Sequence, residues 1–287
     1  MPNVLVTGAS GNVGREVVTQ CLASGLSVRA ASSDPTTLAR QISGIEVVRL
    51  DFFDRSTWAS SLSGCDGIFL MRPPSISEVL TTLCPFIDAA YAAGVKHIVF
   101  LSVAGADKMD WVPHRKVEKH LEKTGKRWTC LRPGFFAQNL QDAYRRDIVE
   151  DDRIYVPAGR GRVAFIDARD IAAVTARIFS DAASYPGRCL TLTGAHAITF
   201  DEVALTLSHA IGRPITYHAA SILGYCWHLW RRRKMPFMQV VIQAFLHVGL
   251  RKGDAEAVDP TVEQILGRKA GSMADYVRDR REVWLKR

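Results

Sequence analysis

The segment 111–125, WVPHRKVEKHLEKTG, concentrates ionisable side chains: two His, three Lys, one Arg and two Glu. Histidine is the side chain among these whose ordinary pKa lies near neutrality, so His114 could exchange a proton with a bound substrate. Glu118 lies one helical turn past His114 and three residues past Arg115. It reads as a surface ion pair with Arg115, because Glu122 on its other side has the same sign. Two roles are open to His114: proton donor near the reacting centre, or a ring that only packs.

A second constellation is VLVTGASGNVG, with Gly8, Gly11 and Gly14 at Gly-x-x-Gly-x-x-Gly spacing. An apolar run precedes it and a helical pattern follows. Glycines there let the backbone turn tightly and approach a pyrophosphate, and the amides opening the helix bind the anion. The turn predicts dinucleotide binding through Gly8, Ala9, Ser10, Gly11, Asn12, Val13 and Gly14.

Both constellations need a scaffold. Apolar runs at 4–8, 27–31, 46–50, 67–71, 97–101 and 127–131 alternate with helical patterns, the longest from about Ile76 to Ala93. Runs as continuous as GIFLM and HIVFL fit parallel strands buried on both faces. The rhythm predicts an α/β fold: a doubly wound parallel Rossmann sheet with a smaller, mainly helical substrate-covering part. Residues 1–134, completed by about 162–193, are assigned to the sheet; 135–161 and 194–287 are assigned to the lid. In the second half VAFID (163–167), CLTLT (189–193) and ITYH (215–218) read as strands. Thr199 and Glu202 have capping-box spacing before a helix that stops at Gly212, and the remainder is helical with breaks at Pro236, 249–253 and Pro260.

TGASGNVG, MRPP, HRKVEKHL, LRPGFFAQNL and IDARDIA, together with RKGDAEAVDPTVEQILGRKAGSMADYV, resemble blocks of the atypical short-chain dehydrogenases, in particular the NmrA-like group that includes festuclavine-dehydrogenase-type proteins. The resemblance spans nearly the whole chain. It implies an NAD(P)-binding sheet, and members include quinone, triphenylmethane-dye, imine and enone reductases. They also include a regulator that binds the nucleotide without turnover. Many short-chain dehydrogenases carry Tyr-x-x-x-Lys on the helix after the fifth strand. None of the seven tyrosines here has Lys four residues on, and His114 and Glu118 stand at that place. Ser102 falls where such enzymes keep a serine near the substrate carbonyl. With this pair missing, hydride transfer that needs little proton help is the expected chemistry.

The resemblance also places Asp51 and Phe52 at the adenine, and Met71, Arg72 and Pro73 at the fourth-strand edge of the cofactor. Relatives favouring NADP tend to carry a basic residue at the position of Ser33. Here Ser32 and Ser33 could donate to a 2′-phosphate, with charge from Arg15 or Arg29, and NADP is slightly favoured over NAD. Asp34 lies twenty residues past Gly14, near where NAD proteins place a ribose-binding carboxylate, but Asp34-Pro35 is also a good helix cap, and that role is preferred. Phe135, Phe136 and Asn139 follow the sixth strand at its ligand-binding end, and Trp227 and Trp230 add aromatic surface beside Tyr225 and Phe237. A small flat organic substrate suits that lining.

The composition fits this reading: 47% hydrophobic and 23% charged in 287 residues, with net charge +8. The basic balance suits phosphate-bearing ligands, but no nucleic-acid recognition motif accompanies it. The run Arg231–Lys234 reads as a solvated helix end. The six cysteines form no Cys-x-x-Cys pair and read as reduced thiols; no metal is expected. No secretory signal or membrane-length apolar stretch is seen, so a cytoplasmic monomer or homodimer without membrane contact is expected.

Overall fold

A seven-stranded sheet organises the first part of the chain in a computed structural model that describes residues 2–42, 44–181 and 185–286. In chain order the alternation begins with β1 (Asn3–Val6), α1 (Asn12–Ala23), β2 (Ser27–Ser32), α2 (Pro35–Gln41) and β3 (Glu46–Arg49). It continues through α3 (Trp58–Leu62), β4 (Gly67–Met71), α4 (Leu83–Ala92), β5 (His97–Leu101), α5 (Pro113–Lys123) and β6 (Trp128–Pro133). After β6 come α6 (Arg145–Asp151), β7 (Arg153–Val156), β8 (Arg162–Val163), α7 (Ala168–Ser180) and β9 (Arg188–Leu192). The last elements are β10 (Ile198–Thr199), α8 (Phe200–Ile211), β11 (Thr216–Ala219), α9 (Ile222–Trp227), α10 (Phe237–Arg251), α11 (Thr261–Leu266) and α12 (Met273–Arg280).

The sheet is wholly parallel, in the order β3-β2-β1-β4-β5-β6-β9. Order reverses between β1 and β4, and in such sheets the ligand crevice opens at the carboxyl ends beside that reversal. Gly8 lies just past β1 and Met71 ends β4 at that edge. The central strands are dry: Ile68, Phe69 and Leu70 of β4 and Ile98, Val99 and Phe100 of β5 are fully buried. Each such side chain contributes about 1.5–3 kcal/mol by leaving water. One face is covered by α1 packed against α7. On the other, Trp58, Leu62, Phe86, Ile87, Val117 and Leu121 of α3, α4 and α5 meet Leu5, Ile68, Phe100 and Cys130.

Two compact units result. The first comprises Met1–Pro133, Ala168–Leu192 and Thr261–Arg268; the second comprises Gly134–Asp167, Thr193–Pro260 and Lys269–Arg287. Residues 162–167 therefore lie with the second unit and 261–268 with the first, the reverse of the sequence expectation. α11 joins the first because it packs on α7, and Arg268 donates to the buried Asp170 carboxylate at 2.8 Å. The strand expected at 163–167 shrinks to the two residues of β8. Beyond them Ala164 donates to the Ala255 carbonyl and Ile166 to that of Phe135, so the backbone pairs with loops.

The helix expected from Ile76 begins seven residues later. Arg72 draws the carbonyls of Pro73, Pro74 and Ile76 to its guanidinium at 3.1, 3.3 and 2.5 Å, and Thr82 Oγ1 takes the Glu78 carbonyl at 2.7 Å. Those acceptors are engaged before a helical ladder could use them.

The second unit has its own core around Tyr144, Phe165, Phe200, Tyr225 and Trp284. β7 pairs parallel with β11, and β8 pairs antiparallel with β10. The capping box at α8 forms as its spacing predicts. The Glu202 amide donates to Thr199 Oγ1 at 3.2 Å, and the Thr199 amide donates to the Glu202 carboxylate at 2.6 Å. Within this core Tyr144 Oη donates to His247 Nε2 at 2.5 Å, because the other ring nitrogen donates to the Gln243 carbonyl. No helix among the described residues is long and apolar enough to cross a membrane.

Candidate functional site

Gly8 takes a left-handed φ of +64°, and the Gly11 amide donates back to its carbonyl at 2.9 Å, closing the turn before α1. Gly14 packs so closely on that turn that a β-carbon would lie 2.1 Å from the Gly8 carbonyl oxygen. Gly11 differs. It is the N-cap of α1 without a side-chain cap, and a β-carbon there would meet nothing nearer than 3.4 Å. The opening turn of α1 therefore tolerates a β-carbon at ordinary contact distance and has no capping side chain to accept from its amides. A pyrophosphate fits such a place. Ala9 and Val13 are buried and hold the turn from beneath, while Ser10 and Asn12 face outward. Thr7 donates to the Phe69 carbonyl at 3.1 Å and accepts from the Met71 amide at 2.8 Å, which ties the turn to the end of β4.

At the end of β2, Ser32 is half-buried, accepting from the Asp34 amide at 3.1 Å, and Ser33 is exposed. Asp34 caps α2, accepting from the Thr37 amide at 3.1 Å, which is the role preferred for it. Arg29 does not reach this edge. Its guanidinium donates to the carbonyls of Ser61 and Ser63 at 3.3 and 2.5 Å and pairs with Glu46 at 2.9 Å. The alternation of β2 hid this: Arg29 sits three residues short of the strand end, and its carbonyl acceptors come from the end of α3 and the loop after it. Arg15, exposed on α1, remains as the other cation of the pair considered. The Phe52 ring is buried edge-on against Phe86 at 5.1 Å, whereas Phe53 beside it is 70% exposed. Asp51 accepts from the Phe53 amide at 2.9 Å.

Exposure of Ser33 gives a direct prediction. Ser33→Arg adds a charge-assisted donor for a 2′-phosphate, worth roughly 1.5–3 kcal/mol when well placed. The ratio of NADPH to NADH affinity is expected to rise roughly 10- to 100-fold by calorimetry. An unchanged ratio would place Ser33 away from the ribose.

Helix α5 carries a buried polar cluster. Glu118 is fully buried, not a surface pair. The face of α5 that buries Val117 and Leu121 turns it onto the sheet. There it accepts from Ser102 Oγ at 2.6 Å, from Arg132 Nε and Nη2 at 2.9 and 2.8 Å, and from Arg115 Nη1 at 3.1 Å. Burial pushes its carboxyl up, but the bonds from Arg132 and Ser102 and the adjacent positive charges prevail and hold it below its ordinary value. Ser102 is itself buried and directs its proton to Glu118. Its oxygen lone pairs, and not its proton, are thus what it offers to a further partner.

His114 sits one turn before Glu118, its ring 6.2 Å from that of Phe100. Burial first, and Arg72 second, depress its pKa to about 4 against the opposing pull of Glu118. Arg72 Nε donates to His114 Nε2 at 3.4 Å, so the ring is neutral near pH 7 with its proton on Nδ1. A neutral imidazole donates a hydrogen bond, but it is a poor source of a full proton. Met71, Arg72 and Pro73 are half-buried, and Arg72 is the link between the end of β4 and His114.

The residues expected around the substrate lie in the second unit. Phe135 packs edge-on to Phe165 at 5.7 Å and His247 at 5.9 Å, and Phe136 bridges to Ile166. Asn139 is half-buried, its carbonyl accepting from the Tyr144 amide at 3.0 Å. Trp227 and Trp230 are 58% and 54% exposed, with Arg231 over the Trp230 ring, while Tyr225 belongs to the core. The basic run is only partly solvated. Arg233 is buried against Asp147, with further pairs to Glu150 at 2.8 Å and Asp151 at 3.2 Å. His228 shares Asp147 at 2.8 Å. Nothing in the spacing of the run singled out Arg233, since its partners lie some eighty residues earlier.

The sequence profile of the NmrA-like family matches residues 2–277. The chain is 33% identical over 227 residues to an NAD(P)H azoreductase of Xenophilus azovorans, covering 76% of this chain and 77% of that one. It is 31% identical over 292 residues to a (4-alkanoyl-5-oxo-2,5-dihydrofuran-3-yl)methyl phosphate reductase of Streptomyces griseus, covering 98% and 99%. Among solved structures, the NADPH-dependent quinone oxidoreductase QOR2 of Escherichia coli in complex with NADPH superimposes with a TM-score of 0.83. It is 27% identical, over 96% of this chain and 99% of that one.

Proposed function

The chain belongs to the NmrA-like family, and we propose that it is an NAD(P)H-dependent reductase delivering hydride to a small cyclic or aromatic organic acceptor. Quinones, imines, enones and azo compounds are the acceptor classes to test first; azo compounds and quinones are those named by two of its relatives. The observation that carries the reading is the uncapped glycine turn at the reversal of strand order, with Ser102 directly after β5 and His114 and Glu118 in the first half of α5. NADPH binding by the quinone oxidoreductase supports the nucleotide assignment.

In this reading the first turn of α1 binds the pyrophosphate, and Ser32, Ser33 and Arg15 face the ribose end. A nicotinamide nucleotide bound there supplies the hydride. Glu118 fixes Ser102, Arg72 fixes the His114 tautomer, and His114 offers a hydrogen bond rather than a proton. Phe135, Phe136, Asn139, Trp227 and Trp230 are the proposed substrate contacts. Acceptors that gain stability from hydride alone suit this arrangement. A quinone yields a delocalised quinolate, and an iminium yields a neutral amine.

Steady-state oxidation of NADPH and of NADH against quinones, imines, enones and azo dyes tests the proposal. Sustained turnover with at least one acceptor is expected. Micromolar nucleotide binding with no turnover on the whole panel would replace it with a nucleotide-sensing protein, a reading that the missing Tyr-x-x-x-Lys pair favours.

His114 gives a second test. With its pKa near 4, its charge does not change between pH 6 and 8, so kcat is expected to be flat across that interval in wild type. His114→Phe is expected to cost about 10-fold or less in kcat, far below the roughly 10²–10⁴ of a lost general acid. A wild-type rate that falls as pH rises from 6 to 8, and a fall that disappears in His114→Phe, would restore the proton-donor role.

A further inference from the structure

Two cysteines that are 59 positions apart in sequence meet on adjacent strands. Cys130 of β6 and Cys189 of β9 are direct partners in the parallel register, so their side chains leave the sheet on the same face. Their sulfurs and a Glu118 carboxylate oxygen all lie within 4.8 Å of one another. Directly paired strand positions bring α-carbons into the range a disulfide spans. The two thiols also differ in access. Cys130 is fully buried, whereas Cys189 is half-buried on β9, the last strand of the sheet.

We propose that Cys130 and Cys189 are a reversible dithiol–disulfide pair that reacts with hydroperoxides, Cys189 attacking and Cys130 resolving. The charges around the pair set this order. The positive charge of Arg132 on β6 favours a Cys189 thiolate, and Glu118 and Glu122 of α5 oppose it. The adjacent Cys130 thiol, with the Arg132 charge adding to it, lowers the Cys189 pKa despite partial burial. Burial and the neighbouring Cys189 raise that of Cys130. The more reactive thiol is thus the more accessible one, and the sulfur of its resolving partner lies within 4.8 Å.

The chemistry balances with the peroxide as oxidant. The Cys189 thiolate attacks the O–O bond and becomes a sulfenic acid, and the alkoxide released takes up a proton as an alcohol, or as water from hydrogen peroxide. Cys130 sulfur then attacks the Cys189 sulfur. The S–S bond forms, the S–O bond breaks, and water leaves with the Cys130 proton. Two thiols are oxidised and one peroxide is reduced. Exchange with an added dithiol returns Cys130 and Cys189 to thiols, and the added dithiol leaves as its own disulfide.

A metal is the other ligand these atoms could hold, and the site disfavours it. Glu118, the third donor, already binds Arg132 and Arg115, so a cation would have to displace two guanidinium groups and then sit beside them. The other four cysteines, Cys21, Cys65, Cys84 and Cys226, have no such partner in the register of the sheet.

The test uses the full chain and hydrogen peroxide, with non-reducing peptide mapping after alkylation in denaturant. Wild type is expected to yield a Cys130–Cys189 cross-linked peptide and lose at least about 10-fold of its alkylatable Cys189, with recovery in dithiothreitol. Cys130→Ser should instead accumulate a sulfenic acid on Cys189 that dimedone traps. Because Cys130 is in the core, Cys189→Ala provides a second variant at a milder position. In it Cys130 should stay fully alkylatable after peroxide. The proposal is overturned if wild-type Cys189 passes to sulfinic acid while Cys130 remains a thiol, if both remain thiols, or if Cys130 is oxidised equally in Cys189→Ala. None of these readouts depends on reductase activity.

Discussion

Gly11→Val is expected to raise the Kd for both NADPH and NADH by at least about 100-fold while leaving the fold intact. The two halves of that expectation have separate physical grounds. Gly11 has φ −87° and ψ 174°, extended backbone that valine adopts readily, and a β-carbon there meets only the Gly8 carbonyl at 3.4 Å and the Met71 methyl at 3.9 Å. The protein can therefore accept the side chain. The phosphate cannot, because the added methyl groups stand at the helix N-terminus, where an anion must approach the amides. Gly14→Ala provides the contrast. Its β-carbon would lie 2.1 Å from the Gly8 oxygen and 2.6 Å from the Gly8 carbonyl carbon, both backbone atoms, so that variant should lose thermal stability before it loses affinity. Calorimetry and thermal unfolding on both variants separate the roles. Native affinity in Gly11→Val would show that the pyrophosphate lies elsewhere.

This turn was legible because its whole cause is local: glycines at fixed offsets between an apolar run and a helical pattern. The parallel sheet was legible for a similar reason, since GIFLM and HIVFL are too uniformly apolar to face water. The α8 capping box likewise needed only Thr199 and Glu202. What stayed hidden depends on groups far apart in sequence. Glu118 looked like an outer-face residue because Arg115, one turn away, explained its charge; Arg132, the stronger partner, arrives only when β6 pairs with β5. Cys130 and Cys189 showed no motif because strand register, not spacing, unites them. Arg29 reads from the sequence as a source of charge for a 2′-phosphate, but the carbonyls of Ser61 and Ser63 hold its guanidinium. The late start of α4 has the same origin, an arginine competing for carbonyls that a helix would otherwise use. Apolar periodicity records burial well. It records poorly where a long charged side chain finds its acceptors.

Glu118→Gln is expected to lower stability by about 3 kcal/mol near neutral pH. The amide keeps the shape of the carboxylate, so packing against Val117 and Leu121 changes little. The loss is electrostatic: Arg132 and Arg115, with side chains only 13% and 17% exposed, would face a neutral group that accepts at one atom instead of two. The remaining exposure of the two arginines keeps the cost near the low end for a broken buried pair. The pH dependence identifies the cause. The Glu118 carboxyl is held below its ordinary value of 4.5, so its stabilisation is complete above that value and disappears as pH falls through the lower folded pKa. The gap between wild type and variant, measured by denaturant unfolding, should therefore be widest at pH 7 and close as the solution is acidified below 4.5. A gap of constant size across that range would mean a packing defect instead. Glu118→Asp retains the charge on a shorter arm and should recover part of the loss. The same variant tests the link to Ser102. Glutamine can present an N–H to Ser102 Oγ and turn the hydroxyl proton outward, so in the reductase reading kcat should change by more than KM for the nucleotide. Equal stability of wild type and Glu118→Gln at pH 7 would remove the buried carboxylate from any account of how α5 is fixed to the sheet.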